Sequence, residues 1–168
     1  MALEWCENAV IEEAGVHPLA PEPVALEEFP LIAGLTPEEL SLVRRTVTFP
    51  TYAGGEAIVC AGAEDRRVFL LQRGEASAVI PLRNGREKRL ATFSSGMSFG
   101  EMALLGPQQR SATVYADRDV ESLILDAGLL SEIWTERPRI RAVIMENLAA
   151  DLGQKLRRTN QMVSTLAR

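Results

Sequence analysis

The sequence is poor in the residues that build catalytic and metal centres. It holds a single histidine, His17, and two cysteines, Cys6 and Cys60. One histidine set among prolines supports neither a Ser-His or Cys-His pair nor a histidine-based metal site. Two cysteines so far apart make no disulfide framework and read as small residues in a reducing compartment. No glycine pattern forms a Walker loop or a dinucleotide fingerprint. No apolar run approaches the roughly 20 residues needed to cross a bilayer. The opening Met-Ala-Leu-Glu-Trp-Cys-Glu has neither the basic start nor the apolar stretch of a signal peptide. No internal repeat is present. These absences argue against an enzyme, a metal and a membrane segment, and lead to the expectation of a cytoplasmic binding protein.

What is present suits one globular domain with helical extensions. The chain has 168 residues, 46% of them apolar and 24% charged, enough to bury a core. A net charge of −5 conceals an asymmetry. Residues 1–30 carry seven glutamates and no lysine or arginine, whereas seven basic residues follow from Arg137 against Glu146 and Asp151. Either the two ends attract one another, or the basic end meets a partner, or both are solvated helix faces. There is no overall basic footprint for nucleic acid.

Residues 2–14 are expected to form a short amphipathic helix, with Leu3, Val10 and Ile11 on one side. Gly15, Pro18, Pro21, Pro23 and Pro30 then mark a linker. We therefore divide the chain into a helix and proline-rich linker over 1–28 and one domain over 29–168. Thr36 can cap a helix whose first position suits Pro37, with Glu39 completing a capping box ahead of Leu40 and Val43. From Thr46 to Asp126 the pattern is mostly β, with short runs at Ala57–Cys60, Val68–Leu71, Ala76–Leu82 and Val120–Leu125. Asn84-Gly85 predicts a hairpin through a type I′ turn. Strands at this spacing suggest a sandwich or small barrel. The remainder, from about 128 to 168, reads as helix divided at Pro138. Within it Ile144, Leu148, Leu152 and Leu156 form one apolar stripe, which either packs on the β-structure or pairs with a second copy.

One segment between strands carries chemistry: Phe99-Gly100-Glu101-Met102-Ala103-Leu104-Leu105, then Arg110-Ser111-Ala112-Thr113-Val114. Gly100 permits a tight turn and the close approach of a ligand to backbone. Glu101 to Leu105 can form a single helical turn whose free N–H groups favour an anion. Arg110 offers a planar fork of donors suited to phosphate oxygens. A carboxylate nine positions before an arginine can make a clamp, the carboxylate accepting from a sugar hydroxyl while guanidinium and N–H groups hold phosphate; taken singly, Glu101 is equally an acidic residue favoured at a helix N-terminus and Arg110 a surface arginine.

This segment resembles the phosphate-binding cassette of the cyclic-nucleotide-binding domain family, which includes the bacterial catabolite activator, the regulatory subunits of protein kinase A and cyclic-nucleotide-gated channels. The family pattern is Phe-Gly-Glu, a small apolar helix, then Arg followed by Ala, Ser or Thr, and Ala; Ala112 holds that last place. The likeness covers about residues 29–165, with Gly54-Gly55-Glu56 and the Gly74 turn included. It implies a mainly β fold with flanking helices: an eight-stranded antiparallel jelly-roll barrel spanning about 46–127, preceded by a helix, with B- and C-helices behind it. It implies that Glu101 binds the ribose 2′-hydroxyl and that Arg110 pairs with the cyclic phosphate, with backbone groups of Gly100, Met102, Ala103 and Ser111 beside it. Many members place proline directly before the arginine, whereas Pro107 stands three residues earlier, which implies a different shape for loop 106–109.

The resemblance to the bacterial activator favours cAMP, with cGMP the alternative. A hydroxyl at Ser111 accepts from a guanine amino group or merely contacts phosphate. In the family the C-helix often closes over the base as a lid, which makes Arg157, Arg158 and Asn160 candidate lid residues. Family members that are transcription factors add a helix-turn-helix after the C-helix. This chain ends at Arg168 without room for one, so direct DNA binding is not expected. Ala2-Leu3-Glu4-Trp5-Cys6-Glu7-Asn8 resembles the stretch that follows a STAS domain in bacterial fusions such as sulfate-permease-like transporters and some glutaminases. The expected role is therefore a regulatory sensor of a larger transporter or enzyme, with the effector in the same full-length chain or a partner. A stand-alone cAMP-responsive protein related to transcription regulators is the alternative, and pairing of two copies through the C-terminal helix is a further expectation.

Overall fold

A computed structural model describes residues 22–166, so the expected helix over 2–14 lies outside the described residues. Two short 3-10 turns, Leu26–Glu28 and Pro30–Ile32, precede helix α1, Pro37–Arg44. The predicted capping box is present at its start. Thr36 Oγ1 accepts from the Glu39 N–H at 3.3 Å, and the Glu39 carboxylate accepts from the Thr36 N–H at 2.9 Å. The turns before α1 are not free chain. Leu26, Phe29, Leu31 and Ile32 are buried, and the amide of Gln72 donates to the Val24 carbonyl at 2.9 Å.

Nine strand segments follow: β1 Val47–Thr48, β2 Thr51–Tyr52, β3 Ala57–Val59, β4 Arg67–Arg73, β5 Glu75–Pro81, β6 Glu87–Ser94, β7 Ser98–Phe99, β8 Thr113–Ala116 and β9 Val120–Asp126. They form two wholly antiparallel sheets, one ordered β1-β9-β4-β7 with β2 also on β9, the other β3-β8-β5-β6. β1 and β2 lie end to end along β9, interrupted at Phe49-Pro50, since proline donates no ladder bond. Counted as one interrupted strand, they leave the eight strand positions the jelly roll implies. Helix α2, Ala127–Glu136, begins on Asp126, whose carboxylate accepts from the N–H groups of Gly128 and Leu129 at 2.8 and 3.0 Å. Helix α3, Pro138–Leu166, starts at the predicted proline.

The core is two clusters that share strands. Phe69, Leu71, Val120 and Ile124 point between the sheets, where they meet Val59, Ala76, Phe93, Phe99 and Val114. Val68, Leu70, Leu123 and Leu125, alternating with them, point outward and are covered by α1, α2, α3 and the 3-10 turns through Phe29, Val43, Leu130, Ile140, Ile144 and Leu148. β4 and β9 are therefore apolar on both faces, which explains their continuous apolar runs.

Two expectations are corrected. The β5–β6 hairpin forms at Asn84-Gly85, but not through a type I′ turn, because Asn84 is not left-handed and Gly85 alone has positive φ, at 75°. The Gly85 N–H donates to Leu82 at 3.0 Å and the Leu82 N–H to Arg86 at 2.7 Å, closing a three-residue loop with the glycine last. The helical stripe also ends early: Ile144 and Leu148 are buried and Leu152 is partly so, but Leu156 is 62% exposed. A four-residue repeat advances about 40° per step on a 3.6-residue helix, so three steps carry Leu156 off the packed face.

Candidate functional site

β7 ends at Phe99, and the chain turns at Gly100, whose φ of +78° is left-handed. A Cβ there would stand 2.5 Å from Nη1 of Arg110 and 3.1 Å from the Arg67 carbonyl oxygen. Only glycine lets these groups meet. The 3-10 turn Glu101–Leu105 follows, as the sequence predicts, closed by the Ala103 N–H donating to the Gly100 carbonyl at 3.1 Å. Ala103 and Leu104 face inward and Met102 and Leu105 outward. Leu104 joins the core cluster that also holds Val68 and Leu70 of β4 and Ile140, Ile144 and Leu148 of α3.

Arg110 returns to the same place. Its main chain is held on both sides, the N–H donating to Ala63 at 2.9 Å and the carbonyl accepting from Gly62 at 2.8 Å. An isolated β-bridge between Glu64 and Gln109 fixes loop 106–109 against the same segment. The Arg110 side chain is only 10% exposed. Nη1 donates to the Gly100 carbonyl at 3.2 Å, and Nη2 donates to the Arg67 carbonyl and lies 3.3 Å from Oδ1 of Asp65. The guanidinium carbon sits 5.8 Å from the centre of the Phe69 ring, which stacks on Phe99 at 4.8 Å. Its Nε is buried without a hydrogen-bond partner. A buried, charged donor left unpaired is costly unless a ligand satisfies it. Ser111 is exposed and Ala112 half-buried against the inter-sheet cluster.

Asp65 orders this corner. It takes a two-pronged contact from Arg67, Nε at 2.9 Å and Nη2 at 2.7 Å, and also accepts from the Arg67 N–H at 2.9 Å. Burial alone would raise its carboxyl pKa, but the Arg67 hydrogen bonds and the Arg110 charge outweigh it and hold the group below its ordinary value.

Glu101 is buried, at 6% exposure. Its carboxylate accepts from Nζ of Lys155 on α3, and the same ammonium lies 2.8 Å from Oδ2 of Asp151 one turn earlier. Burial opposes the ammonium charge, yet the bonds to Asp151 and Glu101 keep the Lys155 pKa above the usual lysine value. Arg157, Arg158 and Asn160 are all exposed on α3, and the residue of that helix that reaches the cassette carboxylate is Lys155. The sequence carried a signal for it: Lys155 stands three positions after Leu152 and seven after Leu148, which places a charge on the buried face. Asp65 had no such signal.

The structure thus brings together Gly100, Glu101, Arg110 and the turn 101–105, and adds Asp65, Arg67 and Lys155. A left-handed glycine, a buried carboxylate and a buried guanidinium with a spare donor suit a ligand bearing both a hydroxyl and an anion. A family model described as the cyclic nucleotide-binding domain matches residues 50–137, more than half of the chain, and the chain belongs to that family. Glutaminase 2 of Bradyrhizobium diazoefficiens is 37% identical over 99% of this chain, which spans 26% of that protein. The cyclic AMP receptor protein of Thermus thermophilus is 31% identical over 82% of this chain and 62% of its own. The crystal structure of the Thermus thermophilus catabolite activator protein superposes with a TM-score of 0.68, at 30% identity, over 82% of this chain and 63% of that one. The chain therefore spans about a quarter of the glutaminase it matches. Among the described residues no helix is long and apolar enough to cross a membrane, and no cluster of metal-ligating side chains is found.

Proposed function

We propose that this domain senses cAMP and acts as the regulatory module of a larger protein. The observation that carries the reading is the Arg110 guanidinium seated on the Gly100 carbonyl with its Nε buried and unpaired, while Glu101, next in the chain to Gly100, carries a buried carboxylate. Arg110 pairs with the cyclic phosphate, and the Glu101 carboxylate accepts from the ribose 2′-hydroxyl. The backbone of Gly100, Met102, Ala103 and Ser111 lies beside them, with Ala112 closing the motif. The regulatory domain of Toxoplasma gondii PKA, solved as a co-crystal with cAMP, shares the fold at a TM-score of 0.59 and 22% identity, and the Thermus relative is named for cyclic AMP. Both names favour adenine over guanine.

The near-complete match to one quarter of a glutaminase supports an effector in the same full-length chain. Ligand acts by shifting the population of α3 positions over the cassette, with Arg157, Arg158 and Asn160 on the lid segment. Leu156 and Val163, exposed at 62% and 60% and seven residues apart on α3, form the face that meets the effector or a second copy.

Calorimetric titration with cAMP and cGMP tests the site. The protein binds cAMP, and Arg110→Ala loses on the order of 2–5 kcal/mol, roughly thirty-fold or more in Kd. Equal binding by both proteins, or none by the unaltered chain, refutes the assignment.

A further inference from the structure

We infer that Lys155 is a further affinity-determining residue of this site: its ammonium occupies the Glu101 carboxylate, and the ligand's 2′-hydroxyl must displace it to bind. The inference rests on the cyclic-nucleotide reading above and extends it to α3.

The geometry supplies both halves of an exchange. Glu101 is buried, and among the described residues the ammonium of Lys155 is the charged group that meets its carboxylate. Lys155 is only half enclosed, its side chain 37% exposed, so it can leave at low cost. Asp151, one turn away on the same helix, lies within 2.8 Å and retains the ammonium after it withdraws. Glu101 thus has two alternative partners, a lysine from α3 or a hydroxyl from the ligand, and Lys155, which touches both carboxylates at once, keeps Asp151 when it gives up Glu101. The first half of α3 is fixed elsewhere. Asn147 donates to the carbonyls of Leu31 and Ala33 at 3.0 and 2.8 Å, and Arg139 pairs with Glu39. Among the described residues none beyond Leu152 on this helix joins the core cluster, and the Lys155–Glu101 bridge ties that stretch to the cassette.

Exchange at Glu101 predicts opposite effects from two residues one turn apart. Lys155→Met removes the competitor, so Kd for cAMP falls about tenfold, the scale of a partly buried ion pair. Asp151→Asn removes the group that receives the displaced ammonium, so Kd rises several-fold. Lys155→Arg keeps a cation in place and stays near the unaltered affinity. Titration with 2′-deoxy-cAMP adds a discriminating arm. A ligand without the hydroxyl leaves Lys155 on Glu101, so Lys155→Met gains little affinity for it. Equal or weaker cAMP binding by Lys155→Met, or an equal gain by Lys155→Arg, overturns the exchange while leaving the cyclic-nucleotide reading intact. Absence of cAMP binding by every one of these proteins overturns both.

Discussion

Replacing Gly100 by alanine separates two costs that usually arrive together. The first is conformational: an L-residue in the left-handed region loses roughly 1–2 kcal/mol relative to glycine. The second is local. The new methyl would stand 2.5 Å from Arg110 Nη1 and 3.1 Å from the Arg67 carbonyl oxygen. The carbonyl is main chain within β4 and does not yield, so the guanidinium must swing away. It then loses its bonds to the Gly100 and Arg67 carbonyls, and hydrogen bonds to a charged group contribute about 1.5–3 kcal/mol. Gly55 provides the control, with φ of +88° and no atom within 4 Å of the place a methyl would take. Gly55→Ala should lose roughly 1–2 kcal/mol from strain alone. Gly100→Ala should lose about 1.5–3 kcal/mol more and bind cAMP at least tenfold more weakly. Urea denaturation read at constant m gives the stability difference, and calorimetry gives the affinity. Equal destabilisation by the two substitutions, or unaltered cAMP affinity in folded Gly100→Ala, would refute the role assigned to the Gly100–Arg110 contact.

Other perturbations test the frame around the site. Thr36→Ala removes the α1 cap and should cost about 1 kcal/mol in urea, with cAMP affinity unchanged. Gly74→Ala would place a methyl 2.2 Å from the Asp119 carbonyl oxygen, at a φ of +91°; a main-chain clash on top of strain should exceed about 2 kcal/mol and lower the soluble yield. Ile144→Ala empties a fully buried position under α3 and should cost about 2–5 kcal/mol. Asp65 titrates below its ordinary value when folded, so its contribution is present above the unfolded pKa of about 3.9 and is lost as pH falls through the lowered folded value. Urea midpoints should therefore drop below about pH 4, and Asp65→Asn should be less stable at pH 7 but flatter across that acid range.

What the sequence revealed depended on how local each signal was. β4 and β9 were legible because both their faces are buried, which yields the apolar runs Val68–Leu71 and Val120–Leu125. β6 was not, because Glu87 to Thr92 lie exposed at a sheet edge and only Phe93 of that strand is buried. The Asn84-Gly85 pair marked the hairpin correctly but not its turn, since the ladder pairing from Leu82 to Arg86 dictated a longer loop. The cassette residues were readable as a contiguous motif with Arg110 nine positions after Glu101. Asp65 and Lys155 escaped because they arrive from elsewhere in the chain, Asp65 from the loop just before β4 and Lys155 from 54 positions away. No local rule reports such a meeting, although a lysine on a buried helix face is a hint.

The two clusters that share β4 and β9 also set where the molecule can bend. Alternate side chains of these strands serve different cores, so a one-residue slide would exchange the contents of both at once. That degree of freedom is closed. The sheets are held in register from both sides, and among the described residues no position of α3 beyond Leu152 joins either cluster.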